Sequence, residues 1–412
     1  MGKATYVAVR AEAFRTRTAA LGRSMRHQWR PVIAPALVLW LVGTVVSCVF
    51  LHPFDVAEYG TYAHAALHAP LLHRLPAEYP APALVVFMAP LLLPFSYPWA
   101  FAVVAGIVLI PLLTSYEGSA VPGMDTEAAR RLIVYLAVGA AILVTARYDI
   151  FAAAAAFWAV RAARQGRWST AWTWSSIGFV IKLFPAVFWP AFLIAEWRLS
   201  GRIPVRRLVW MAVSVAILAA IPALFDHGGL LNVVHYYAHR PDELESVPAG
   251  LSVLFEWDHS TVLNTFHSVD LVNAAARPTA LVVEALAGVG CIWIWWAQLR
   301  GRLPVEGACL ATVTLAVLGS KVGSAQYLMW LMPLWALYPI RPQWLLAALV
   351  NIAAFPYGAS GGGFGPSHAF TNSLAMVLLT RNVLIAWGTW SWLRSVVAER
   401  RSPPATATAR AP

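Results

Sequence analysis

Hydrophobic positions along this chain come in long runs, separated by short polar intervals that are mostly basic. Runs approaching the ~20 apolar residues that cross a bilayer read as membrane helices. The first covers residues 31–51. It is expected to keep a basic N-terminus inside and to deliver residues 52–79 outside, because Lys and Arg concentrate in loops that stay cytoplasmic. Residues 57–72 carry a weak helical period with Tyr, His and Leu interleaved, which predicts one or two short helices along the membrane surface. Pro80 and Pro82 then break the chain.

The basic clusters order the remainder of the chain. Arg130-Arg131, 161–167, 198–207, 300–302, Arg341 and 394–401 are assigned to the cytoplasmic side. Outward crossings then fall near 132–146, 168–181, 208–225, 304–320 and 343–356. Returning ones fall near 148–162, 183–196, 278–299, 326–340 and 371–393. The stretch 83–116, interrupted by Pro90, Pro94, Pro98 and Pro111, must cross an odd number of times. The expectation is an all-α polytopic membrane protein of about 12 transmembrane helices, with both termini cytoplasmic and short extracytoplasmic surface helices.

Composition agrees. Of 412 residues, 59% are hydrophobic and 12% charged, against about 25% charged in soluble domains, and the mean hydropathy is +0.63. The net charge of +11 resides in loops and tails rather than in a basic face, so nucleic acid is not an expected partner. Cys48, Cys291 and Cys309 lie in or beside apolar runs and read as small core residues. Residues 1–30 are basic over too long a stretch for a signal peptide, so a retained first helix is expected. The predicted organisation is a cytoplasmic N-terminus (1–30), one transmembrane domain (31–394) with outer loops 52–80 and 226–277, and a disordered cytoplasmic tail (395–412). The Gly-rich stretch 358–365 is expected to be a flexible outer loop.

This topology collects Asp55, Glu58, Glu78, Arg147, Asp149, Lys182, the loop 226–277, Lys321 and Gln326 on the outer side. Ionisable groups at apolar helix ends mark function by default, although each alone is also explained by a snorkelling side chain. Cations at helix ends suit a lipid-linked phosphate. A carboxylate about a sugar's width away suits deprotonation of an acceptor hydroxyl. Asp55, after Phe54 and before Tyr59 and Tyr62, fits that base, with a plain interfacial aspartate as the alternative. Lys182 precedes the proline-broken run at Pro185, and Lys321 precedes Gly323-Ser324-Ala325, where a small-residue spacing permits close backbone approach. Both cations read as phosphate ligands or as snorkelling lysines. His64/His68 and His235/His239 repeat an i,i+4 spacing but lack the setting of a zinc site, so no metal is expected. No nucleotide-binding or nucleophile-elbow motif is present, and no cofactor is expected.

In order, these pieces resemble a known family. An early aspartate followed by paired tyrosines, then Glu78-Tyr79-Pro80, is similar to the start of glycosyltransferase family 87 proteins. Lys182-Leu183-Phe184-Pro185 is similar to that family's Lys-Leu-Tyr-Pro, and Arg240 with Glu245-Ser246 comes next. Lys321 with Ser324-Ala325-Gln326-Tyr327, similar to Ser-Pro-Gln-Tyr, completes the set. The resemblance implies a GT-C-type fold with its site on the extracytoplasmic face of the plasma membrane. It also implies a polyprenyl-phosphate sugar donor, usually mannose, a glycolipid or glycan acceptor, and an inverting reaction. The nearest functional model is the actinobacterial α-1,2-mannosyltransferase of phosphatidylinositol mannoside synthesis.

Carried over, Asp55 would be the base, Lys182, Arg240 and Lys321 would contact the donor phosphate, and Glu245 and Gln326 would meet sugar hydroxyls. Glu78, Tyr59, Tyr62, Tyr327 and His239 complete the expected sugar and acceptor site. Two departures stand out: Glu78-Tyr79-Pro80-Ala81-Pro82 replaces Tyr-Pro-Pro, and Arg147-Tyr148-Asp149 stands where a Gly-Gln-x-Asn element belongs. An arabinofuranosyltransferase is the nearest rival. A lipid or solute transporter is the rival from another class, but it should show internal repeats, and none is visible.

Overall fold

The structure, a computed structural model, describes residues 32–51, 54–68, 78–116, 126–225, 235–265, 268–359 and 368–399. The N-terminal basic segment, most of the Gly-rich stretch and residues 400–412 of the expected tail lie outside the described residues, whereas 395–399, expected to be disordered, are helical.

Helix α1 (Val32–Leu51) is followed by α2 (Phe54–His68), which carries Asp55 in its first turn. A kinked apolar segment, Ala81–Leu92, contains α3 (Leu84–Met88), and α4 (Tyr97–Thr114) comes after it. Residues 83–116 therefore fold as one long apolar helix preceded by a short broken piece. Next come α5 (Thr126–Gly139), α6 (Leu143–Ala146), α7 (Asp149–Arg164), α8 (Trp168–Ile181), α9 (Trp189–Ser200) and α10 (Val205–Phe225). After a polar segment come α13 (Ala276–Leu299), α14 (Val305–Gly319), α15 (Leu328–Trp335), α16 (Pro342–Ala359) and α17 (His368–Glu399). Each expected crossing lies on one or two of these helices. Among the described residues, Val32–Leu51, Tyr97–Thr114, Ala276–Leu299 and Phe370–Glu399 are long and apolar enough to cross a membrane. Ala81–Leu92, Val305–Gly319 and Pro342–Phe355 are apolar but shorter.

Small residues set the packing at the centre. The run Ala152–Ala156 on α7 is fully or almost fully buried, letting neighbouring helices approach backbone to backbone. At Gly139 a Cβ would sit 2.8 Å from the Ala348 Cα, so α5 and α16 meet only because that position is glycine. The main core is continuous from Leu39 on α1 through Trp335 and Trp344 to Trp392 on α17.

The segment expected as an outer loop is more ordered than its polarity suggested. Its described part contains a helical turn α11 (235–239), β1 (Asp242–Glu243), α12 (Val247–Phe255), and a hairpin of β2 (Thr261–Thr265) and β3 (Ser268–Val272). The sheet is antiparallel in the order β1-β3-β2, with Glu243 opposite Asp270 and Val262 opposite Leu271. Two local causes are visible. Ser246 caps α12 by accepting from the Ala249 N–H at 3.1 Å. Leu244, Ala249, Val253 and Leu271 form a small core with Ala354, Ala375 and Leu378 of α16 and α17. The fold is otherwise helical throughout the described residues.

Candidate functional site

Three chain breaks build the site. Between α6 and α7 the backbone of Arg147 turns extended, at φ −134° and ψ 134°, and Tyr148 and Asp149 follow it into α7. At the end of α8, Lys182 is likewise extended, at φ −155° and ψ 127°. Pro185 cannot donate to a continuing helix, and the chain restarts as a 3-10 turn over Phe184–Phe188. After α14, Ser320 is extended and a 3-10 turn, Ala325–Tyr327, leads into α15. Irregular backbone within an apolar bundle is tolerated where it lines a cavity. These three breaks do line one, with a volume of about 780 Å³.

The polar segment closes its other side. Arg240, Glu243 and Glu245 reach the cavity, as do Tyr236 and Tyr237. Gly323 lets this segment approach, because a Cβ there would lie 2.6 Å from the Ser246 Cα. The Glu243 N–H donates to the Lys321 carbonyl at 2.9 Å. Asp55 and Glu78 complete the wall from the α2 side.

Charge pairs organise the surface. Arg147 Nη1 is ion-paired with Asp55 Oδ1. Lys182 Nζ donates to Asp149 Oδ1 at 2.7 Å, and Trp330 Nε1 donates to the same oxygen at 2.7 Å. The Lys182 ammonium also lies 4.5 Å from the Tyr148 ring centre and about equally far from Tyr327 and Trp330 (5.5 and 5.4 Å), an aromatic box for a cation. Arg240 Nη2 lies 3.4 Å from Glu243 Oε2. Arg381, only 2% exposed, donates to Glu245 Oε2 at 2.7 Å and to the Glu245 carbonyl at 2.8 Å. Arg207 and Glu196 pair elsewhere, away from the cavity wall. Burial pushes the Glu243 carboxyl up to about 7, with Arg240 opposing the shift. Burial likewise pushes Asp242 up to about 7, against the pull of Lys321.

Of the residues expected from sequence, Asp55, Glu78, Lys182, Arg240, Glu245, Gln326 and Tyr327 share this one wall. Four do not line it. Tyr59 is buried behind it, stacked on Phe87 with centroids 4.5 Å apart and edge-on to Tyr79 and Tyr148. Tyr62 donates to Glu78 and, at 3.3 Å, to Glu58. Burial and then Glu78 push its hydroxyl well up, so it stays a donor. Lys321 Nζ donates to the carbonyls of Arg240 (2.8 Å) and Ala238 (3.3 Å), tying down the segment between α11 and β1 that presents Arg240. His239 is exposed, with Nδ1 2.9 Å from the His235 carbonyl oxygen.

The sequence groups Arg147, Asp149 and the loop holding Glu243 with the outer-side polar residues without giving any of the three a role, and it does not single out Trp330 or Arg381. For Arg381 the signal was available: a charge in the middle of an apolar run is costly and points inward.

A family model for glycosyltransferase family 87 matches residues 78–321, more than half of the chain. The chain belongs to glycosyltransferase family 87. The protein is accordingly a membrane glycosyltransferase, acting on a sugar donor and an acceptor. The matched segment contains Lys182, Arg240 and Lys321. Asp55 lies upstream of it and Arg381 downstream. No curated protein and no solved structure matches the chain.

Proposed function

We propose that this family 87 protein transfers a sugar, most simply mannose, from a polyprenyl-phosphate donor to a glycolipid or glycan acceptor, with inversion. The supporting observation is that Asp55, Arg147, Lys182 and Arg240, from four separate stretches of chain, face one cavity. Its volume of about 780 Å³ lies within the roughly 300–1,000 Å³ of small-molecule sites. The reading places the cavity on the extracytoplasmic face of the plasma membrane and both termini in the cytoplasm, following the distribution of basic loops.

In this reading Asp55 is the base. In the structure its Oδ1 is paired with Arg147, and its carboxylate is the group that takes the proton of the acceptor hydroxyl. The proton passes to that carboxylate as the acceptor oxygen bonds to the anomeric carbon. The bond from that carbon to the phosphate oxygen breaks on the opposite face, and its electron pair leaves on the lipid phosphate. Cations at the wall stabilise the charge that develops there. Glu78, Glu245, Gln326 and Tyr327 are placed to meet sugar and acceptor hydroxyls. Tyr59, Tyr62 and Lys321 position the wall from behind, and His239 has no part in it.

The test is incubation of the purified protein with polyprenyl-phosphate mannose or arabinose and candidate glycolipid acceptors. Transfer by the wild type and its loss, by at least about 1,000-fold, in Asp55→Asn are expected. Transfer of arabinose alone replaces mannose with the rival sugar. Near-normal turnover in a folded Asp55→Asn protein removes Asp55 from the mechanism.

A further inference from the structure

The cavity wall is not simply basic. Each cation in or behind it already has an anionic or carbonyl partner, so a phosphate arriving there has to exchange with one of them. Lys182 is held by Asp149, which is 0% exposed, and by three aromatic faces. Arg381 is held by the side chain and carbonyl of Glu245 and by Asn351 at 2.9 Å. Lys321 is turned onto two backbone carbonyls. Breaking any of these would leave a buried charge or the segment carrying Arg240 uncompensated.

Arg147 differs. Its ion-pair partner is Asp55, the one carboxylate that the chemistry requires to be free. Its Nε is buried and finds no hydrogen-bond partner among the described residues; the same holds for Arg240 Nε, but the partner of Arg240 is Glu243 rather than the base. The guanidinium lines the cavity at the break between α6 and α7, 5.9 Å from the Phe355 ring centre. A planar fork with spare donors is the group best matched to a phosphate.

We propose that Arg147 is a latch on Asp55 that the lipid phosphate of the donor opens. At rest the guanidinium engages Asp55 Oδ1. When the donor binds, phosphate oxygens take that guanidinium, and the Asp55 carboxylate is released to accept the acceptor's proton. Donor binding therefore arms the base, and the acceptor reacts second. This rests on the reading of Asp55 as the base and adds a residue and a binding order to it.

The test is a double-mutant cycle on binding, which needs no sugar transfer. Affinity for undecaprenyl phosphate is measured in nanodiscs by tryptophan fluorescence for wild type, Asp55→Asn, Arg147→Gln and the double variant, with inorganic phosphate run alongside. Exchange predicts that Asp55→Asn tightens binding by about tenfold, a gain typical of removing a competing charge partner. It predicts that Arg147→Gln weakens binding by a similar factor. In the Arg147→Gln background, Asp55→Asn should then change affinity by less than about twofold.

Equal tightening by Asp55→Asn in both backgrounds overturns the latch, because it reports only a general loss of negative charge. So does unchanged affinity in Arg147→Gln. Saturation by inorganic phosphate without response to the lipid overturns the lipid source. Arg147→Lys, which keeps the charge, covers the case where Arg147→Gln fails to fold and is expected to bind between wild type and Arg147→Gln. If the cycle holds while no polyprenyl-phosphate sugar is transferred, the transfer reading and the arming of the base fall, and only the exchange of Arg147 from Asp55 to phosphate stands. If transfer works and the cycle is additive, the latch alone falls.

Discussion

Lys182 and Asp149 form an ion pair across two helix breaks, with Nζ 2.7 Å from Oδ1 and Trp330 donating to that same oxygen. The pair joins the end of α8 to the start of α7, and through Trp330 it reaches α15. Phe184 stacks on Trp330 with centroids 4.1 Å apart, so the same tryptophan fixes the turn after Lys182. One carboxylate thereby sets the relative position of all three cavity-forming breaks.

Removing the two partners should have unequal effects. Lys182→Met leaves Asp149 buried without its cation, a change that typically costs about 3–5 kcal/mol. Asp149→Asn keeps an oxygen for Trp330 and loses less stability, while freeing the lysine for an anion. Thermal unfolding in detergent should show the larger drop for Lys182→Met. Lipid-phosphate binding should weaken in Lys182→Met and strengthen in Asp149→Asn. Equal drops in both variants would show that Asp149 without its cation costs no more than Lys182 without its anion.

The raised carboxyl of Glu243 gives a pH dependence with a definite sign. Its value in the fold is about 7, above an ordinary glutamate, because burial favours the neutral form. Stability from this group is therefore fully present below the ordinary glutamate range near 4.3 and is lost as pH rises through about 7. Below 7 the neutral carboxyl also releases Arg240, its neighbour at 3.4 Å, to an anion. Lipid-phosphate affinity should rise as pH falls from 8 to 6, and Glu243→Gln should remove most of that slope. Asp242 titrates in the same range and contributes whatever slope persists. Affinity that is flat in the wild type, or a slope unchanged in Glu243→Gln, would sink the assignment.

Gly323 tests how closely the polar segment must dock. An added Cβ would meet the Ser246 Cα at 2.6 Å and the Glu245 carbonyl oxygen at 3.0 Å. Both are backbone atoms, which cannot swing aside as a side chain would. Gly323→Ala should destabilise by about 1–3 kcal/mol and widen the site, lowering transfer more than the stability loss alone explains. Thermal unfolding paired with turnover checks it, and a neutral alanine would show that the segment yields freely.

The helices and the grouping of seven site residues were legible because both depend on patterns along the chain. Apolar runs set α4, α13 and α17, and the order of short motifs brought Asp55, Lys182 and Gln326 to one wall. The missing parts depend on partners far apart in sequence. Nothing beside Arg147 shows that its partner is Asp55, 92 positions upstream (147 − 55), and nothing beside Lys321 shows that it turns onto the Arg240 carbonyl. The sheet was hidden for a related reason. Its strands are short, and their apolar residues are buried only once α16 and α17 arrive.

Arg381 extends the site beyond the segment that carries the family match. It sits in α17 and binds Glu245 through both a side-chain and a backbone oxygen, while Asn382 donates to that same backbone oxygen at 3.0 Å. Asn351 supports Arg381 and is itself held to the Gly139 and Ala325 carbonyls, so α5, α16 and α17 meet at this carboxylate. Truncation to Arg381→Leu leaves Glu245 without its buried cation and should destabilise by about 3–5 kcal/mol. Adding Glu245→Gln removes the stranded charge and should recover much of that loss. Turnover should not recover with it, because Glu245 at the wall has then lost its charge and its fixed orientation. Unfolding temperature and turnover measured on both variants separate the two roles: recovery of both together would make Glu245 a structural carboxylate alone.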